Sequence, residues 1–174
     1  MIVEIPRKKG KESGWKRWRT NVIIQLDGKA RSSLLNYEFK LGEDVYYPYW
    51  VGKIYTRHKR PFVAPKEINF YAICDSVSGD YVVLRSTGKT RLVDIDERRI
   101  LPPVVKQKKV EKEIMTEAIE DRVNRQFIYG KPYVEKQGVT LLYLPYKEVY
   151  VRRKTGGEMK KFYINKYTGE VKNS

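Results

Sequence analysis

Apolar positions crowd most densely into YYPYWVGKIY, residues 46–55, where five aromatics surround Pro48 and Lys53 is the lone charge. Val51, Ile54 and Tyr55 continue the pattern expected of a long, half-buried strand whose alternate aromatics face a core. Proline cannot donate to a strand ladder, so Pro48 belongs at a bulge, an edge or the strand start. A second stretch, YLPYKEVYV at 143–151, carries the same cadence and continues through Val149 and Val151. Each strand runs into a basic, turn-rich segment, TRHKRPFVAPKE (56–67) or RRKTGGEM (152–159), and then a returning strand, INFYAICD or KKFYIN. Gly156-Gly157 is a strong hairpin signal.

One helix is clear. Over 110–127, VEKEIMTEAIEDRVNRQF, Met115, Ile119, Val123 and Phe127 recur every fourth position with Ile114 and Ala118 beside them, an apolar stripe on a charged helix. Glu111 and Glu113 near its start and Arg122 and Arg125 near its end suit the helix dipole, and Gly130 and Pro132 stop it. Elsewhere the pattern predicts a strand over NVIIQL (21–26) and a weak helix over 27–40. It also predicts a hairpin around Ser86-Thr87-Gly88 and a linker over 101–109, broken by Pro102-Pro103.

The two long strands match each other in order. Tyr46, Pro48 and Tyr49 superpose on Tyr143, Pro145 and Tyr146; farther on, Asp75, Val77 and Ser78-Gly79-Asp80 meet Asn165, Tyr167 and Thr168-Gly169-Glu170. Two ordered matches separated by a length difference that a loop can absorb predict a duplicated unit of roughly 40 residues. The alternative is chance, since tyrosine is common here and Ser/Thr-Gly-Asp/Glu is an ordinary turn. The fold class that follows is α+β: two related units, each an antiparallel sheet of one long strand plus a hairpin, at least one packed by an amphipathic helix. The expected division is a basic flexible segment over 1–14, a first unit over 15–100, the linker, and a second unit over 110–174, the units packing separately or as one domain.

Composition narrows the function classes. With 41% hydrophobic residues, 14 Tyr, 5 Phe and 3 Trp in 174, the chain has material for a core. A single cysteine, Cys74, precludes an intrachain disulfide. No apolar run of signal-peptide or membrane-spanning length occurs, which sets the expectation of a cytoplasmic protein. The formal net charge is +15, from 36 Lys+Arg against 21 Asp+Glu. The excess is clustered: seven basic against two acidic residues over 1–20, and four basic with none acidic over 51–60. Such a field attracts polyanions, nucleic acid or an anionic membrane surface, or simply solvates the chain.

Catalytic chemistry is sparse. His58, the one histidine, sits among basic residues, and a surface-loop position is expected for it rather than the role of a base. Cys74 lies in the apolar FYAICD and reads as a small core residue. Asp94, Asp96 and Glu97 could hold a divalent metal, but Arg98 and Arg99 follow at once, so a salt-bridged turn is expected. STGKT (86–90) lacks the first glycine of a phosphate-binding loop, with Val83 in its place. The expectation is a non-enzymatic chain with no cofactor and no metal.

Strand endings of the form aromatic-apolar-Asn/Asp-x-x-Thr-Gly-Glu-Val, here YINKYTGEV at 163–171 behind the helix at 110–127, resemble PepSY-type or cystatin-like α+β repeats over about 110–172. CDSVSGDYV (74–82) gives a looser copy over about 45–85. The resemblance implies a curved antiparallel sheet packed on a helix, and an inhibitory or regulatory module that binds a polypeptide.

Two functional readings follow. In one, nucleic acid or another polyanion is held by Arg17, Arg19, Arg57, Lys59 and Arg60, with Trp15 and Trp18 stacking on bases. In the other, a protein partner docks on an aromatic sheet face, with Tyr47, Tyr49 and Tyr146 as its platform. A third use of the Trp- and Arg-rich N-terminus, resting at a membrane surface, ranks below both.

Overall fold

The computed structural model describes residues 2–4, 17–27, 34–88, 90–128 and 130–174. It contains both helix and antiparallel sheet. In chain order the elements are β1 (Ile2–Glu4), α1 (Trp18–Asp27), β2 (Tyr37–Arg60), β3 (Val63–Asp75), β4 (Tyr81–Leu84), β5 (Arg91–Val93), α2 (107–126), β6 (Tyr133–Arg153), β7 (Lys160–Asn165) and β8 (Val171–Asn173). Two compact units form, 1–6, 48–94 and 102–143 in one, 7–47, 95–101 and 144–174 in the other. They are interleaved along the sequence, not consecutive on either side of 101–109. The basic segment expected over 1–14 lies outside the described residues, apart from the backbone of β1.

In unit one the strand order is β4-β3-β2-β6-β1-β5. β2 pairs antiparallel with β3 from Tyr49↔Asp75 to Arg60↔Val63, and β3 with β4 from Tyr71↔Leu84 to Cys74↔Tyr81. β5 pairs with β1, from Ile2↔Val93 to Glu4↔Arg91, and not with β4, so the hairpin expected around 86–88 does not form. Residues 56–67, expected to be loop, are mostly strand. Pro65 is accommodated because it falls where the β2–β3 register shifts, on a part of β3 that β4 does not reach.

Helix α2 covers this sheet. Val110, Ile114, Met115, Ala118 and Val123 are buried against Trp50, Ile54, Phe70, Ala72 and Cys74. An ideal α-helix has 3.6 residues per turn, so a strict four-residue stripe should drift around it. Here the helix widens to π turns at Val110–Ile114 and Ile119–Val123, which keep the stripe aimed at the sheet. Met115 rests directly on Gly52, where an added Cβ would come within 2.8 Å of its sulfur. The expected linker is docked: Val104 and Val105 donate their backbone N–H groups to the Ser76 carbonyl, and the Trp50 indole donates to the Val105 carbonyl at 2.7 Å.

In unit two β6 pairs with β7 from Tyr146↔Asn165 to Val151↔Lys160, and β7 with β8. Helix α1 packs here, placing Trp18, Val22 and Ile23 among Tyr37, Val149, Val151, Phe162, Ile164 and Val171. The segment expected as a strand over 21–26 is therefore helical. Trp18, Val22 and Leu26 lie four apart, and burying that stripe outweighs the β-preference of Val22, Ile23 and Ile24. Asn21 and Gln25 fix the helix by donating to the Gly169 and Val171 carbonyls, both at 3.0 Å. The weak helix expected over 27–40 is replaced, from Leu34 onward, by a 3₁₀ turn and the start of β2; Tyr37 is buried and Glu38 exposed, a period of two.

Each unit has a six-residue turn with the same internal bonds. The Asp75 N–H donates to the Asp80 carbonyl and the Asn165 N–H to the Glu170 carbonyl, both at 2.8 Å; Gly79 and Gly169 donate to the Asp75 and Asn165 carbonyls, both at 2.9 Å. The Oδ1 atoms of Asp75 and Asn165 each accept from the N–H groups two and three residues on, Val77 and Ser78 in one turn and Tyr167 and Thr168 in the other. Gly79 and Gly169 adopt φ of 85° and 71°, the left-handed conformation that glycine takes without penalty. The carbonyls of Pro48 and Pro145 accept the N–H groups of Ser76 and Lys166, so each proline marks the point where its strand takes up a hairpin partner.

The β2–β3 hairpin closes in two residues, Pro61 and Phe62. Phe62 has φ of 61°, a conformation that glycine or asparagine tolerates and a bulky side chain resists. Its side chain is fully exposed. Phe62→Asn is therefore expected to raise stability by about 0.5–1 kcal/mol, measured by urea unfolding, because it relieves backbone strain and forfeits no buried contact.

Candidate functional site

Period-two geometry builds the site. Ile54, Thr56 and His58 of β2 are buried, which turns Tyr55, Arg57 and Lys59 to the opposite face of the strand. After α2, Gly130 takes φ of 74°, the left-handed conformation open to glycine. Pro132 is buried and anchors the approach to β6, while Lys131 and Tyr133 on either side of it are exposed. Tyr55, Arg57, His58, Lys59, Gly130, Lys131 and Tyr133 line a cleft of about 570 Å³.

The cleft is cationic and aromatic together. Among the described residues no ion pair involves Lys59 or Lys131. Arg57 meets Glu67 at 3.7 Å in an exposed pair, an arrangement worth little in water. Partial burial, together with the Glu67 carboxylate, pushes the Tyr55 hydroxyl up, so it remains a neutral donor. Glu135 is a second carboxylate near Tyr55. Tyr133 is 62% exposed, leaving ring surface free to stack.

The other basic surface, around the β6–β7 hairpin of unit two, differs in this respect. Arg152 pairs with Glu38 at 2.7 Å, and Arg153 donates to the Tyr37 hydroxyl and lies over its ring. Partial burial alone would lower the Lys161 pKa, but the Glu148 carboxylate 2.9 Å away and the Tyr163 ring hold this ammonium firmly charged. A larger cleft in unit one, about 610 Å³, is lined by Asp80, Glu113, Glu117 and Asp121 against Lys109 and Arg122, the wrong sign for a polyanion.

The residues expected to bind are distributed between the units. Arg57, Lys59 and Arg60 are exposed in unit one. Arg17 and Arg19 are exposed in unit two, with the Arg19 guanidinium 5.3 Å from the Trp18 ring and 5.8 Å from Phe39. Trp15 lies outside the described residues. Trp18 is a core residue of unit two, so its ring is not presented to a base. Tyr47, Tyr49 and Tyr146 are buried as well; Tyr47 packs on Tyr146 at 4.9 Å and on Tyr163 at 5.9 Å. Each is a core residue and not part of an open platform. Lys131 and Tyr133 were not singled out in the sequence, although GKPY repeats in brief the basic-beside-aromatic theme of 55–62.

His58, expected in a surface loop, is instead a buried strand residue stacked on Phe127 at 5.0 Å. Cys74 is a buried core residue, and burial pushes its thiol up to about 11, which keeps it protonated and unreactive at neutral pH. Asp96 caps the 3₁₀ turn Glu97–Arg99 and pairs with Arg98 at 2.8 Å, the salt-bridged turn that the sequence predicts. Among the described residues no helix is long and apolar enough to cross a membrane. Comparison of the chain with protein-family models, curated proteins and solved structures finds no match.

Proposed function

We propose that this chain is a non-enzymatic binding module for a polyanion, with nucleic acid as the partner, held in the cleft of Tyr55, Arg57, Lys59, Lys131 and Tyr133. The observation that carries this reading is the pairing state of the cations. Lys59 and Lys131 face the cleft with no described acidic partner, whereas those around the second hairpin are mostly engaged. Neutralised phosphates release counterions, and an exposed tyrosine stacks on unpaired bases, so a single strand suits the combination. The reading in which a polypeptide docks on exposed aromatics finds less support, since Tyr47, Tyr49 and Tyr146 are buried. The test is fluorescence anisotropy with single-stranded and duplex oligonucleotides over a range of salt. Binding that weakens steeply with salt and favours the single strand is expected; no binding at the lowest salt would end the proposal.

We also propose that the two halves are related repeats of helix, long strand and hairpin, as the ordered sequence matches suggest. The near-identical bonding of the turns at 75–80 and 165–170 supports this. If the turns are equivalent, Asp75→Asn and Asn165→Asp should each change stability by less than about 0.5 kcal/mol in urea unfolding, since each installs the side chain its counterpart uses. Asp75→Ala should cost about 1–3 kcal/mol, because two backbone donors lose their acceptor.

A further inference from the structure

Residues 61–65, Pro-Phe-Val-Ala-Pro, form the tip of the β2–β3 hairpin, and every one of them is exposed. Phe62 has no cover at all, and Val63 is 55% exposed. Five consecutive apolar residues on a convex turn have no place in a core, and the tip keeps a bulky ring in a strained backbone conformation where asparagine or glycine would sit more easily. Directly behind it stand Lys59 and Arg60 on one strand and Lys66 on the other, all exposed.

We propose that this tip inserts into the interface of an anionic lipid bilayer. The claim goes beyond the polyanion reading, because it concerns the apolar turn and not the cleft. Three features favour a bilayer over a nucleic acid or a protein groove. The first is depth. Strands rise about 3.3 Å per residue, so cations two to four residues behind Phe62 sit about 7–13 Å back, at headgroup level when the ring reaches the acyl boundary about 5–10 Å down. The second is the backbone. Pro61 and Pro65 have no N–H, and the Arg60 guanidinium donates to the Ala64 carbonyl at 2.9 Å. The tip therefore carries few backbone polar groups that would have to leave water unsatisfied. The third is shape. A base stack offers one slot for one ring and would leave Pro61, Val63, Ala64 and Pro65 against phosphates, while an interface accepts all five.

The experiment is co-sedimentation of the full chain with vesicles of phosphatidylcholine alone and with phosphatidylserine added, for the natural protein, Phe62→Asn and Lys66→Glu. The natural protein should sediment with the anionic vesicles and much less with the neutral ones. Phe62→Asn, expected to be the more stable protein, should weaken that binding about tenfold; Lys66→Glu should weaken it about fivefold or more. Oligonucleotide binding measured alongside should be unaltered by Phe62→Asn. Failure of the natural protein to sediment, or sedimentation unchanged in Phe62→Asn, overturns the proposal. So does a loss of oligonucleotide affinity in Phe62→Asn, which would make the tip a nucleic-acid wedge. Absence of oligonucleotide binding by the natural protein would instead overturn the cleft reading and leave the vesicle result to stand by itself.

Discussion

Tyr146→Ala should destabilise the protein by about 3–5 kcal/mol, a large fraction of the roughly 5–15 kcal/mol that holds a domain folded. Tyr146 has no exposed surface, lies 4.9 Å ring to ring from Tyr47, and sits opposite Asn165 where β6 takes up β7. Truncation removes a large buried volume at the point where strand pairing begins, and neighbouring rings cannot collapse into it without leaving their own contacts. Tyr146→Phe keeps the ring and should cost about 1 kcal/mol, the worth of the hydroxyl's interactions. Urea unfolding of both variants measures this. A loss below about 1 kcal/mol for Tyr146→Ala would mean that these tyrosines are not the core of their unit.

The second large effect is on binding. Reversing two cleft charges, Arg57→Glu with Lys131→Glu, should weaken single-strand binding by about a hundredfold or more at low salt, since two charge-assisted contacts are lost. The salt slope should fall by about 0.7 for each phosphate contact removed. Tyr133→Ala, which removes a stacking ring and no charge, should weaken binding by about 1–3 kcal/mol and leave the slope unchanged. Anisotropy titrations separate the two effects. A double reversal that leaves affinity intact would place the binding surface elsewhere.

Much of the architecture was legible because it rests on local pattern. The four-residue stripe from Met115 to Phe127 marked α2, and the recurring Tyr-x-Pro-Tyr marked the two long strands. What failed had tertiary causes. Residues 21–26 carry β-branched side chains and read as strand, but the stripe of Trp18, Val22 and Leu26 meets a sheet that only the fold brings to it. That sheet is built from β6, β7 and β8, in the second half of the sequence, while the buried residues under α2 come from β2 and β3 in the first half. Nothing local states which sheet a helix will cover, so two consecutive units were expected where interleaved ones occur. The candidate site was half legible for the same reason. Arg57 and Lys59 stood out as a basic cluster, whereas Lys131 and Tyr133 join them only through the β2–β6 neighbour relation. Alternation shows that a strand has two faces, not whether one of them is open, so the sequence leaves Tyr47, Tyr49 and Tyr146 as platform or core, and the fold buries them.

The most direct test of the cleft as a binding site is hydrogen–deuterium exchange of the full chain with and without a saturating single-stranded oligonucleotide. Slower exchange confined to residues 53–60 and 130–134 is the predicted result. Protection instead at the basic hairpin of 151–161, or no protection anywhere, would contradict it.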